Sequence, residues 1–140
     1  MEPIGTVNPA KQVLIVDDER HVTYLMQHKM QKMGLDVLTA RNGQEAMEKA
    51  VEVVPDLIIT DFQMPVMSGI EMSLALRENP ITQDVPIILV TGRGHMVPPS
   101  TLEKTSIRMQ LAKPFSPREL ISYACEVLGI EDQDAEAHAA

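Results

Sequence analysis

The stretch Leu57-Ile58-Ile59-Thr60-Asp61 decides the fold of this chain. Four uncharged residues run directly into an acid, and such a run between turn residues is typical of a strand buried on both faces of a parallel sheet. Asp61 then stands at the carboxyl end of the strand, where open α/β sheets bind their ligands. The pattern suggests a functional carboxylate there, although Asp61 taken alone is better explained as a cap of the next helix, and the other strand ends change that balance.

Strands and helices alternate on both sides of this stretch. Apolar, β-branched runs predict strands at 12–16, 36–40, 57–61, 85–90 and 108–112. Apolar residues at helical spacing predict helices at 19–33, 44–53, 68–78 and 117–128, and a short fourth helix that begins late, near Pro99. This order predicts a doubly wound α/β fold with a five-stranded parallel sheet and helices on both faces.

The pattern also predicts the domain limits and the inward faces of the helices. Residues 1–10 form a flexible N-terminal arm, 11–129 one domain, and 130–140 an acidic C-terminal tail. Asn42-Gly43 marks a turn before the second helix. The residues predicted to face the core from the first two helices are Val22, Leu25, Met26, Met30, Met33, Ala46, Met47, Ala50 and Val54.

Composition excludes several classes of function. A net charge of −8 disfavours direct binding of nucleic acid, which usually needs a basic face. Aromatic residues make up 3% of the chain, so stacking platforms for bases are not expected. The chain has a single cysteine, Cys125, which rules out an internal disulfide and matches no zinc-ligand motif, and it is predicted to be a buried thiol. No signal peptide or membrane span is recognisable, which predicts a cytoplasmic protein without membrane insertion.

Polar residues stand at the ends of four predicted strands. Asp17 and Asp18 follow the first strand, Asp61 ends the third, Thr91 follows the fourth and Lys113 follows the fifth. The ends of parallel strands meet at one edge of the sheet, so these side chains are expected to converge. Each has a plain structural explanation alone, such as a helix-start acid or a surface lysine. The ordered set favours a site.

Clustered carboxylates need a compensating cation. At about 4 Å, one pair of like charges costs about 4 kcal/mol at a dielectric of ~20. Mg²⁺, with Mn²⁺ as an alternative, suits an all-oxygen site, and the Lys113 ammonium can pair with Asp61. Thr91 adds a hydroxyl donor, and Gly92 leaves room for a bulky group. These parts predict phosphoryl transfer to Asp61 as the nucleophile.

Four segments together resemble the receiver domain of two-component response regulators. Val13-Leu14-Ile15-Val16-Asp17-Asp18-Glu19 resembles its acidic-pair segment, and Asp61-Phe62-Gln63-Met64-Pro65-Val66-Met67-Ser68-Gly69 its phosphoacceptor loop. Pro86-Ile87-Ile88-Leu89-Val90-Thr91-Gly92 and Leu111-Ala112-Lys113-Pro114-Phe115 resemble the other two. The resemblance covers about residues 11–129.

The resemblance implies a flavodoxin-like three-layer sandwich with sheet order 2-1-3-4-5. It implies that Asp61 is phosphorylated by the phosphohistidine of a sensor histidine kinase in a magnesium-dependent reaction. The implied metal ligands are Asp17, Asp18, Asp61 and the Gln63 backbone carbonyl. The implied phosphoryl-binding residues are Thr91, Gly92 and Lys113, and the Lys113-Pro114 peptide bond is expected to be cis.

The chain departs from the family in two places. Gln110 occupies the position, three residues before the lysine, where the family commonly has a Tyr or Phe that moves with the threonine. The segment 93–106 is irregular because Gly94 and Pro98-Pro99 shorten the fourth helix, so we predict signalling through this segment or the first helix. Gln63 and Arg93 line the entry to Asp61, which predicts slow self-dephosphorylation. His95 is the histidine nearest the predicted pocket.

The sequence therefore predicts a phosphoacceptor switch without independent substrate turnover. It would act as a monomer or weak dimer on an effector protein, relay phosphate to a histidine phosphotransfer protein, or serve as a module of a hybrid kinase. An aspartyl phosphatase is disfavoured because Gln63 stands where such enzymes usually have a second acid. A flavodoxin-like cofactor binder is disfavoured because no Gly-rich loop follows the first strand.

Overall fold

A parallel sheet of five strands lies at the centre of the computed structural model, which describes residues 10–92 and 96–131. The strands are β1 (Gln12–Val16), β2 (Asp36–Ala40), β3 (Leu57–Asp61), β4 (Ile87–Thr91) and β5 (Ile107–Ala112). The helices are α1 (Arg20–Lys32), α2 (Gly43–Val53), α3 (Gly69–Glu78), α4 (Pro99–Leu102) and α5 (Pro117–Leu128). The predicted arm and tail lie almost wholly outside the described residues.

The strand order is β2-β1-β3-β4-β5, and every neighbouring pair is parallel. The order implied by the resemblance is thereby confirmed. It places β3, every residue of which is buried, between β1 and β4. Because all strands run the same way, the carboxyl ends of β1, β3, β4 and β5 lie at one edge of the sheet.

The two faces of the sheet bury separate hydrophobic clusters. Alternate strand residues such as Val13 and Ile59 pack with residues of α1 and α5, including the buried Cys125. Leu14 and Ile58, one residue along each strand, pack with α2 and α3. This alternation explains why the three central strands β1, β3 and β4 are nearly continuous apolar runs, since both of their faces are covered. It also confirms the predicted three-layer arrangement.

Some local predictions were wrong by a residue or a face. β4 begins and ends later than predicted, and Thr91 is its last residue. Asn42 caps α2 rather than forming a separate turn, because its side chain accepts from the Glu45 N–H at 2.8 Å. Leu25 is exposed on α1, and Val54 is exposed beyond the end of α2. α4 is a single short turn beginning at Pro99, as predicted.

Val54 has a backbone conformation that suits glycine. It is the C-cap of α2 with φ 51°, in the left-handed region, and its side chain points to solvent. A β-branched residue is strained there, by roughly 1–2 kcal/mol. We expect Val54→Gly to raise the free energy of unfolding by about 1 kcal/mol after the entropy of the unfolded glycine is counted. Urea denaturation checks this, with the exposed Val51→Gly, inside the helix, expected to destabilise.

Within the described ranges, no helix has the length and apolar character needed to cross a membrane.

Candidate functional site

Three carboxylates meet at the carboxyl edge of the sheet. Asp17 follows β1, Asp18 comes next in the chain, and Asp61 ends β3. One oxygen from each lies within 4.8 Å of the others. Asp17 and Asp61 are buried, each with 7% of its surface exposed, and Asp18 is exposed. The convergence follows from the pairing of β1 with β3, in which Val16 is in register with Thr60.

Lys113 faces this cluster from the end of β5. Its Nζ lies 3.3 Å from Asp61 Oδ2 and 3.6 Å from Glu19 Oε1. The backbone positions it as well, because the Lys113 N–H donates to the Thr91 carbonyl at 2.7 Å. Lys113 therefore forms an ion pair with Asp61, the same carboxylate that Asp17 and Asp18 lie close to. The contact with Glu19 was not predicted from the sequence.

The charges of Asp61 and Lys113 are mutually supporting. Burial raises the pKa of Asp61 above its ordinary value, and Lys113 opposes that rise. Burial alone would lower the pKa of Lys113, but the carboxylates of Asp61 and Asp17 leave it above its ordinary value. The Gln63 N–H also hydrogen-bonds to the Asp61 carboxylate. The lysine therefore stays charged at neutral pH and helps to keep Asp61 ionised.

Asp17 is the carboxylate with the clearest penalty for being charged. Burial raises its pKa from 3.8 to about 6, the Asp61 charge adds to the rise, and a hydrogen bond from the Glu19 N–H at 2.9 Å opposes it. Above pH 6 Asp17 is charged in the native state, and because this charge is better solvated in the unfolded chain, it lowers the free energy of unfolding. A bound divalent cation would offset this penalty, since all the donors are carboxylate oxygens.

We expect Asp17→Asn to stabilise the protein without divalent ions by about 2–3 kcal/mol at pH 8, from the shift of the Asp17 pKa from 3.8 to about 6. Between about pH 4 and 6 native Asp17 binds a proton that the unfolded chain releases. Wild-type stability should therefore rise as pH falls through 6, and the advantage of the variant should shrink.

Urea denaturation in EDTA at several pH values measures this difference. Asp56→Asn is the matched control, because Asp56 is exposed and its carboxylate also accepts a backbone N–H, that of Gln12. A variant that is equally or less stable than wild type at pH 8 would contradict the expected penalty at Asp17.

The end of the loop after Asp61 packs closely against the backbone of Asp61. Gly69 begins α3, and its N–H donates to the Phe62 carbonyl at 2.8 Å. A Cβ on Gly69 would overlap the Asp61 carbonyl oxygen and come within 3.0 Å of Leu89. The helix start is further held by a capping box between Ser68 and Glu71. A glycine at this place therefore allows α3 to begin directly against the end of β3.

The other predicted site residues have no side-chain hydrogen bond to the three carboxylates in the described part of the chain. Thr91 is fully buried, and its hydroxyl lies 3.4 Å from the Met96 sulfur. Gly92 follows it, half-buried, and Gln63 is exposed in the loop after Asp61. Gln110 lies in β5, and its amide contacts the backbone of Val97 rather than the carboxylates.

Sequence patterns did not reveal the contacts of Met96 and Val97. Both belong to the irregular stretch before α4, where no periodicity indicates what a side chain touches. Arg93 and His95, which the sequence placed near the pocket, lie outside the described residues. The Lys113-Pro114 peptide bond is cis, as the resemblance implied.

Comparison with known proteins agrees with this geometry. Residues 13–124 match the family model described as the response regulator receiver domain. The alkaline phosphatase synthesis transcriptional regulatory protein PhoP of Bacillus subtilis is 36% identical over 110 residues, which are 79% of this chain and 45% of that protein. The phosphate regulon transcriptional regulatory protein PhoB of Pseudomonas aeruginosa is 36% identical over 118 residues, 84% of this chain and 52% of that protein.

A solved structure has the same fold. The chemotaxis response regulator CheY4 of Vibrio cholerae superposes with a TM-score of 0.74 and 31% identity, covering 85% of this chain and 99% of that one. The chain thus spans about half the length of the curated relatives named above, whereas its match covers 99% of the CheY4 chain.

Proposed function

The chain belongs to the response-regulator receiver family, and from that premise we propose that Asp61 accepts a phosphoryl group from the phosphohistidine of a sensor histidine kinase. One observation carries the proposal: a buried carboxylate is paired with Lys113 Nζ at 3.3 Å on one side and joined by two further carboxylates within 4.8 Å. A structural ion pair would not need the second and third acids.

The transfer uses the groups of this site in defined roles. A carboxylate oxygen of Asp61 forms a bond to phosphorus while the bond between phosphorus and the donor imidazole nitrogen breaks, and that nitrogen keeps the electron pair. Lys113 remains paired with the carboxylate and can then bind a phosphoryl oxygen, as it is charged throughout. Thr91 and Gly92 are proposed to border the phosphoryl group.

The donor set of the site fits Mg²⁺. Asp17, Asp18 and Asp61 offer carboxylate oxygens, and we propose the Gln63 carbonyl as a further ligand. When bound, the ion would neutralise charge on the transferred oxygens. Mn²⁺ has the same preference for oxygen and is a candidate substitute.

A groove beside the site is a candidate place for the kinase. It has a volume of about 710 Å³ and lies between the start of α1 and the loop that joins β5 to α5. Its lining includes Val22, Leu25, Met26, Lys113, Pro114 and Phe115. Because Lys113 belongs to both the groove and the carboxylate cluster, a helix seated there would bring its histidine close to Asp61. Leu25, which lines the groove and is exposed, offers an apolar contact for such a helix.

Downstream, we propose that phosphorylation changes contacts with another protein. Direct binding of DNA by this chain is not part of the proposal, since its net charge is −8. Independent turnover of phosphate esters is not expected either, because Gln63 offers no second acid. A cytoplasmic location, slow self-dephosphorylation and a monomeric or weakly dimeric state remain predictions.

Incubation with acetyl phosphate and Mg²⁺, followed by intact mass measurement, tests the proposal. We expect a mass gain of one phosphoryl group with Mg²⁺ and none when EDTA replaces it. Tryptophan is absent from the chain, so binding of the ion is best followed by calorimetry rather than fluorescence. Failure to gain mass at millimolar donor, in protein shown to bind Mg²⁺, would reject Asp61 as a phosphoacceptor.

A further inference from the structure

The side chain of Gln110 holds the backbone of Val97 through both of its polar groups. Gln110 Nε2 donates to the Val97 carbonyl at 2.8 Å, and the Val97 N–H donates to Gln110 Oε1 at 2.8 Å. One amide thus satisfies the donor and the acceptor of a residue that is only 7% exposed. These two hydrogen bonds attach the segment before α4 to β5, in the way that backbone hydrogen bonds attach one strand to the next.

The residue before Val97 contacts the phosphoryl pocket. The Thr91 hydroxyl donates to the Met96 sulfur, with 3.4 Å between Oγ1 and Sδ. Thr91 is fully buried, whereas Met96 is 53% exposed. Thr91 and Gln110 also lie close in the sheet, because Thr91 is in register with Ala112 and Leu89 with Gln110. Gln110 therefore determines where the chain carrying Met96 meets Thr91.

We propose that Gln110 is a positioning residue for phosphorylation: by holding Val97 it keeps the Met96 sulfur on the Thr91 hydroxyl, which must leave that sulfur to bind a phosphoryl group. This inference rests on the proposed function, in which Thr91 borders the phosphoryl group. It assigns Gln110 a role through main-chain hydrogen bonds, with Met96 as the side chain released.

The exchange follows from the chemistry of the hydroxyl. A threonine hydroxyl has one proton to donate, so it cannot serve the sulfur and a phosphoryl oxygen together. A thioether is a weak acceptor and a charged phosphoryl oxygen a strong one, so phosphorylation favours the exchange. The hydrogen bonds to Val97 do not compete for that proton. β5 therefore keeps the segment while the exposed Met96 side chain changes its surroundings and becomes the surface that reports phosphorylation.

The first test needs no phosphorylation. In protein labelled with ¹³C at the methionine methyl groups, the Met96 signal is assigned by its loss in Met96→Leu. We expect this signal to shift or broaden in Gln110→Leu and to stay in place in Gln31→Leu, which alters an exposed glutamine on α1. An unchanged Met96 signal in Gln110→Leu would overturn the positioning role.

The second test measures the acetyl phosphate concentration that half-phosphorylates Asp61 in the presence of Mg²⁺. Met96→Leu removes the acceptor and keeps the size, so this concentration should fall about two- to fivefold, as for loss of a weak hydrogen bond. Gln110→Leu should lower it similarly, and the double variant should match Met96→Leu because both changes act through one contact. A merely structural role would make the two effects add.

Each outcome of the titration decides the proposal. Additive effects, or no change in Met96→Leu, overturn it, and the latter holds even if Gln110→Leu does not fold. If wild-type protein is not phosphorylated, the proposed function fails, whereas the methyl spectra still show whether Gln110 positions Met96.

Discussion

Asp61→Asn is expected to abolish phosphorylation by acetyl phosphate, leaving no mass gain under conditions that phosphorylate wild type. The amide keeps the size and one oxygen of the carboxylate but lacks the charge and the nucleophilicity of an ionised oxygen. Asp17 and Asp18 do not replace it, because Lys113 forms its ion pairs with Asp61 and Glu19 in the described part of the chain. Intact mass measurement over a time course gives the result.

Two controls test whether the loss of phosphorylation comes from a general change in charge or from unfolding. Asp84→Asn removes an exposed carboxylate before β4, at the opposite edge of the sheet, and should phosphorylate as wild type does. Thermal unfolding should show that Asp61→Asn is at least as stable as wild type in EDTA, because burial raises the pKa of Asp61 and its charge is penalised. Persistent mass gain in a stable Asp61→Asn protein would mean that another residue accepts the phosphoryl group.

The convergence of the site was predictable because of how parallel sheets are built. Strands buried on both faces exclude charge along their length, so an acid or a lysine appears only where the strand reaches the edge. Asp17 and Asp61 are recognisable for that reason. Lys113 follows the edge strand β5, which also carries Arg108, so its place at the strand end is what indicates it. The shared direction of the strands makes one edge hold all three side chains. The distance of each from the next along the chain is immaterial to this argument.

Other features were not predictable because they depend on the path of the backbone. The apolar period of α2 continues into Val54, yet the chain turns left-handed there and exposes the side chain. Gln110 reads as one polar residue in a half-buried strand, and its partner Val97 lies 13 residues away in a stretch without regular structure. Periodicity in the sequence predicts which face of a helix or strand a residue occupies. It does not predict where a helix ends in a left-handed residue or which loop a strand residue contacts.

Lys113→Met is expected to slow phosphorylation of Asp61 by about 10²–10³-fold, the usual effect of removing one charged or hydrogen-bonding group from a developing oxyanion. Methionine keeps the length and apolar stem of the lysine and removes its ammonium, which lies 3.3 Å from Asp61 Oδ2. The initial rate of mass gain at fixed acetyl phosphate and saturating Mg²⁺ measures the effect. Lys104→Met, at an exposed lysine between α4 and β5, is the matched control and should not alter the rate.

Binding of Mg²⁺ separates a role in transfer from a role in assembling the site. Without Lys113 the three carboxylates lose the ammonium that pairs with Asp61, so Mg²⁺ should bind Lys113→Met at least as tightly as wild type. The pKa of Asp61 should also rise, because Lys113 opposes the effect of burial, and the pH at which phosphorylation becomes half-maximal should move upward. A slower variant that also binds Mg²⁺ more weakly would show that Lys113 only maintains the shape of the site. A slower variant with tighter Mg²⁺ binding and an upward-shifted pH profile is the outcome that its ion pair with Asp61 predicts.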